Sequence, residues 1–151
     1  EALDGKRETL GPKHPDTLTS INNLGLLLKD QGDLAGAAPL YREALDARRE
    51  TLGAKHPETL ISINNFADLL REQGELDEAA TMLSDASGAA HDVLGDRHML
   101  TLVIDAKAAR VTHSRGGGSG ALQAVVACMT EVLGAAHPQT LKYEAVLREM
   151  H

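Results

Sequence analysis

Between residues 15 and 31 the apolar residues Leu18, Ile21, Leu24 and Leu28 recur at three- and four-residue steps, with polar residues between them. That spacing predicts one face of an α-helix. Pro15 suits the first turn, where its missing N–H leaves no bond unmade, and Asp16 sets negative charge at the positive helix end. Gly32 is expected to end the helix in the left-handed conformation. A second helix is expected to start near Asp33, a favourable N-cap, and to turn Leu34, Ala37, Ala38, Tyr41, Ala44, Leu45 and Leu52 to one side. Gly53 stops it. Pro39 falls inside and should remove a hydrogen bond or bend the helix slightly. The pattern then repeats: 57–73 with Gly74, 76–94 with Gly95, about 98–114, 121–133, and a closing helix over 138–150. Residues 1–10 match 43–52 and read as the tail of a second helix. The expectation is seven helical segments, counting the two terminal halves, and no strand, because no stretch alternates convincingly.

The recurrence is internal duplication. Leu10-Gly11-Pro12-Lys13-His14-Pro15-Asp16-Thr17-Leu18 returns 42 residues later as Leu52-Gly53-Ala54-Lys55-His56-Pro57-Glu58-Thr59-Leu60. It returns again from Leu94 to Leu102, and a fourth time from Leu133 to Leu141 after a step of 39. More than half of residues 1–42 are identical to their counterparts in 43–84. The expected division is a single repeat-array segment over 1–151: 1–11 ending a preceding repeat, 12–53, 54–95 and 96–134 as three repeats, and 135–151 as the first helix of a fourth. A helix pair cannot bury its apolar face alone, so stacked neighbours supply the core. Half-repeats at both ends, and a first residue that is not Met, lead to the expectation of a segment of a longer array.

Composition narrows the function. The chain has 151 residues, 42% hydrophobic and 25% charged, as a folded protein should. Aromatics reach only 2% (Tyr41, Phe66 and Tyr143), so Leu, Ile, Val and Ala must build the core. A net charge of −7 and few stacking rings speak against nucleic acid. No apolar run approaches the length of about 20 residues needed to span a bilayer, so no membrane insertion is expected. Cys128 stands alone, with neither a disulfide partner nor the companions of a thiolate zinc site. It aligns with Ala44 and Ala86 and reads as a small buried hydrophobe.

The pattern Ile21-x-x-Leu24-Gly25-x-x-Leu28, Gly32, Leu34, Ala37, Tyr41, Ala44-Leu45 resembles the tetratricopeptide repeat, with Leu and Ile in place of its large aromatics. The 42-residue period, with Leu-Gly-x-x-His-Pro-x-Thr-Leu and Asn-Asn-Leu, is similar to the repeats of kinesin light chains. The resemblance implies an all-α fold, a right-handed superhelical solenoid of antiparallel helix pairs. It also implies that the first helix of each pair lines an inner groove that commonly receives a peptide. On that register Asn22, Asn23, Asn64 and Asn65 lie groove-side. An amide can pair with both polarities of a peptide group, or it can bond a neighbouring helix and fix the packing. Thr19, Leu26, Lys29, Asp30, Ile61, Asp68, Arg71, Glu72 and Val103 share the groove-side register. Lys107, Arg110 and His113, one turn apart on one face, suit an acidic peptide or a solvated helix face. The third repeat departs from the pattern: Met99 replaces Pro, Asp105-Ala106-Lys107-Ala108 stands where the others have Ile-Asn-Asn, Gly116–Gly120 forms the turn, and the second helix is about three residues shorter.

His14, His56, His98 and His137 recur once per repeat. A metal cannot bridge a whole repeat width, so each is read as a turn-forming residue bonding the inter-repeat loop. The glycine run lacks the Lys-Ser/Thr and preceding strand of a phosphate loop and reads as a flexible turn. No catalytic set stands apart from the repeat, and no cofactor is expected. The expected function is a non-catalytic scaffold binding a partner peptide or protein, an acidic one among the candidates, in the concave groove, with cytoplasmic location as the default. The alternatives are a structural arm of a larger assembly using convex or end surfaces, and an accessory domain of an enzyme.

Overall fold

The computed structural model describes residues 2–150. Eight helices occupy them: α1 (Ala2–Leu10), α2 (Pro15–Asp30), α3 (Leu34–Leu52), α4 (Pro57–Gln73), α5 (Leu76–Leu94), α6 (Met99–Ser114), α7 (Gly120–Leu133) and α8 (Pro138–Glu149). No strand occurs among the described residues. The expected count of seven falls one short. Three helix pairs and a closing helix make seven, and the tail formed by α1 is a further helix of its own.

The chain divides into two compact units, residues 1–74 and 75–151. In the first, α3 packs on both α2 and α4, α1 lies on α2, and α2 touches α4. Leu18, Ile21, Ala44 and Ala47 form a core cluster edged by Leu3 and Leu40. Tyr41 is fully buried, and its ring lies where a Cβ on Gly25 would come within 3.2 Å of it. The glycine thus lets the ring seat against the α2 backbone. In the second unit α5 packs on α6, α6 on α7, and α7 on α8. Its core gathers Leu102, Ala106, Ala109, Leu122, Val126, Met129 and Tyr143.

Glycine punctuates both units. Gly11, Gly32, Gly53, Gly74, Gly95 and Gly116 all have positive φ, and each stands 21 residues after the one before. At Gly32 the Asp33 N–H reaches Leu28 O at 2.9 Å and the Gly32 N–H reaches Lys29 O at 2.9 Å. These paired bonds satisfy two carbonyls that a helix end leaves open. The Asp33 side chain then accepts from the Gly36 N–H and opens α3. Gly116 and Gly117 close α6 in the same way, onto His113 O and Thr112 O.

Several expectations need correcting. Leu18 and Ile21 are buried, but Leu24 and Leu28 are only partly so; the α2 stripe runs instead through Thr17, Leu18, Ile21, Asn22 and Gly25. The contacts of the nine-residue α1 reach Thr17 and Ser20, in the first half of α2. Leu52 is exposed. Helix α7 has 14 residues against 19 in α3 and α5, five fewer rather than three. It starts later, because the glycine-rich turn is longer than its counterpart, and it stops sooner. Gly120 already belongs to α7. In α7 the buried stripe of Leu122, Val126 and Met129 stands one residue later than the repeat register expects, so Met129 is fully buried and Cys128 is only partly so.

Candidate functional site

Two helices of the first unit carry most of the expected site residues. On the faces where α2 and α4 meet, the Asn65 side-chain amide donates to Asn22 Oδ1 at 3.3 Å. About two turns along, Lys29 Nζ lies 3.4 Å from Asp68 Oδ2 and 3.2 Å from Glu72 Oε1. Arg71 reaches Asp68 and Glu72 at 3.5 Å each. The Lys29 side chain is only 13% exposed. Burial pushes its ammonium down, but the charges of Asp68 and Glu72 outweigh burial and hold its pKa above the ordinary lysine value. Asn22 and Asn64 are buried, Asn65 is partly buried, and Asn23 is exposed. The structure therefore bonds α2 to α4 at two places, Asn22 with Asn65 and Lys29 with Asp68 and Glu72, while Arg71 braces the two carboxylates from within α4 and Asn23 stays at the surface.

Tyr41 lies beneath this face. Burial, and then the charges of Asp30, Asp68 and Glu72, push its phenol well above the ordinary value. Its buried hydroxyl makes no hydrogen bond.

The remaining expected residues belong to α6 in the second unit. Lys107 is buried, and Arg110 is partly exposed. His113 faces Gly117 O at 3.1 Å. A carbonyl only accepts, so Nδ1 donates there and His113 braces the glycine turn.

The recurring histidines hold a position the sequence reading placed slightly wrong. Each is the N-cap of the helix after it, and its Nδ1 accepts from the N–H two residues on: Asp16, Glu58, Leu100 and Gln139. The bond goes into the helix's first turn rather than to the loop. Where Pro occupies the first helical position, the next N–H is the first donor needing a partner.

Two clusters escaped the sequence reading. His91 on α5 bridges two carboxylates, with Nδ1 2.7 Å from Asp96 Oδ1 and Nε2 3.0 Å from Asp105 Oδ2. Asp105 also accepts from the Ser87 hydroxyl at 2.5 Å. In the first unit, Arg48 is 4% exposed. Its guanidinium donates to Ser62 Oγ at 2.7 Å and lies 3.0 Å from Glu58 Oε2. The repeat held a signal for it: 42 residues earlier, Lys6 donates to Ser20 at 2.7 Å in the same way. Among the described residues no group of three His, Cys, Asp or Glu side chains is arranged to hold a metal ion. No helix there is long and apolar enough to cross a membrane.

Comparison with known proteins follows the same lines. A tetratricopeptide repeat model matches residues 1–50 and 22–90. A solved Podosopora anserina kinesin-light-chain candidate with nearly identical TPR-like repeats is 24% identical over 98% of this chain and 72% of its own, with a TM-score of 0.76. A variant of that protein gives 24%, 98% and 71%, with a TM-score of 0.78. At that identity the likeness shows the fold, an all-α helical repeat. No curated protein matches the sequence.

Proposed function

We propose, from the premise that this chain belongs to the tetratricopeptide repeat family, that it is a non-catalytic scaffold holding a partner peptide on the face formed by α2 and α4. Repeats of this family serve as protein-interaction scaffolds. The observation that supports the site is the polar face itself. Asn22 and Asn65 tie the two helices together, Lys29 ties them again, and Asn23 stands exposed between those ties in sequence. Such a face is pre-organised, which lowers the ordering cost of binding. A peptide backbone would meet Asn23 first and share the Asn65 amide. On α6 of the second unit, the partly exposed Arg110 carries a positive charge in an acidic protein, which favours acidic side chains in a partner.

The test is a peptide array followed by measured affinities. Asn65→Ala should weaken a captured peptide by about 1–3 kcal/mol, through an unpaired peptide group. Arg110→Glu should slow association and reduce its dependence on salt. Binding unchanged by both substitutions would sink the groove reading.

A second reading has its own support. The bonds among Asn22, Asn65, Lys29, Asp68, Glu72 and Arg71 are made within the protein, as packing would require. On that reading the chain is an arm of an assembly and meets its partners through other surfaces. Recovery of a large complex, with no short saturable peptide, favours it.

A further inference from the structure

The first unit holds a cavity of about 390 Å³ at the first turns of α2 and α4 and the last turn of α3. Pro15, Leu18 and Leu52 supply apolar wall, and Thr19 and Thr51 stand beside them. Arg48, Glu58 and Lys13 bring charge to it. Of the residues expected on the groove side only Thr19 reaches this cavity; the others named on α2 and α4 lie further along, so the place is largely separate on the same helices.

A buried guanidinium in the wall of a cavity beside Leu18 and Leu52 needs an account. Four contacts hold Arg48: Ser62 Oγ at 2.7 Å, Glu58 O at 3.4 Å, Thr19 Oγ1 at 3.4 Å and Glu58 Oε2 at 3.0 Å. Three come from groups fixed in the fold. The fourth comes from a Glu58 side chain that is 49% exposed and can swing into water. Burial pushes the arginine pKa down, and the Glu58 charge opposes that; a bound carboxylate would do the same. Lys13 stands at the cavity with its ammonium on Glu50 at 2.5 Å, and both side chains are at least half exposed. Exposed pairs of that kind are weak and easily exchanged.

We propose that this cavity binds a carboxylate joined to a short apolar group, as an acidic peptide presents when an aliphatic side chain adjoins its carboxylate. The carboxylate takes the place of Glu58 on the Arg48 guanidinium, where planar, charge-assisted bonds are strongest. Lys13 turns from Glu50 to meet it. The apolar part lies against Pro15, Leu18 and Leu52. The site stands apart from the face of α2 and α4, and neither depends on the other.

The probe is hexanoate, titrated into the full chain and followed by NMR, with hexanol and hexylamine alongside. Hexanoate should shift the Thr19, Thr51 and Leu52 signals saturably, with a dissociation constant of about millimolar order for so small a ligand. Hexanol and hexylamine should bind at least several-fold more weakly. Thr51→Phe, at an exposed position, should fill the cavity and abolish the shifts. Glu58→Gln should tighten hexanoate about two- to fivefold, because it removes a competing carboxylate from a weak, half-exposed pair. Arg48→Met should abolish binding; should that variant fail to fold, Glu58→Gln and Thr51→Phe decide alone. Hexanol binding as tightly as hexanoate, binding that survives Thr51→Phe, or binding weakened by Glu58→Gln would each overturn the proposal.

Discussion

An imidazole is an uncommon N-cap, since Ser, Thr, Asp and Asn fill that place more often. It serves here because Nδ1 accepts from the N–H two residues on in α2, α4, α6 and α8, which is the first available donor in the three helices that open with Pro. His56→Ala should destabilise the first unit by about 0.5–2 kcal/mol in chemical denaturation, and His56→Asn should recover most of that. An alanine variant as stable as the parent would show that the cap is idle. Tyr41→Phe should leave stability unchanged or raise it by up to about 1 kcal/mol, because the buried hydroxyl it removes is unpaired. The histidines were visible in the sequence as a recurring position. Their acceptor role was not, because spacing alone does not say which backbone group a ring nitrogen faces. Arg48 was hidden for a related reason: a lone cation in a helix pattern reads as surface until its partners are in place.

Helices pack with unequal thoroughness, and periodicity does not reveal that. Leu24 and Leu69 both sit on helical stripes, yet Leu69 is fully buried and Leu24 is not. Leu69→Ala should cost about 2–5 kcal/mol, the range for a fully buried leucine, while Leu24→Ala should cost nearer 1 kcal/mol. Thermal melts of the two variants give the comparison. Between α5 and α6 the His91 bridge makes stability depend on pH. The hydrogen bond that the ring donates to Asp96 raises the His91 pKa, burial opposes it, and Asp105 raises it further. The folded pKa therefore lies above the ordinary 6.5. Its stabilisation is fully present below that value and fades as pH rises through the folded pKa. The difference in melting temperature between the parent and His91→Gln should shrink from about pH 5.5 to about pH 8.5. A difference that grows over that range would mean the bridge does not hold a charged ring. Sequence periodicity located α5 and α6 closely. It did not pair His91 with Asp105, because that pairing needs the two helices already docked.

At the scale of the whole molecule, the main helix contacts among the described residues join elements adjacent in sequence, with α2 on α4 in addition. Chains built from such local contacts fold quickly. Stopped-flow refolding should show a main phase in roughly the microsecond to millisecond range; a dominant phase of seconds would point to unforeseen long-range order. Circular dichroism should show helix without strand. This scale was the most legible, because a duplicated sequence states its architecture several times over. The third repeat was the least so, since the buried stripe of α7 stands one residue off the repeat register, with Met129 where Cys128 was expected. The regular glycines have a consequence for heredity. Six of them beat out equal intervals of 21 residues. A recombination slip between two of these near-copies would add or remove a whole pair of intervals in frame. Every junction would then keep its glycine stop, and every second one its histidine start. Length is thus a property of this protein that a single genetic accident can change without writing a new interface.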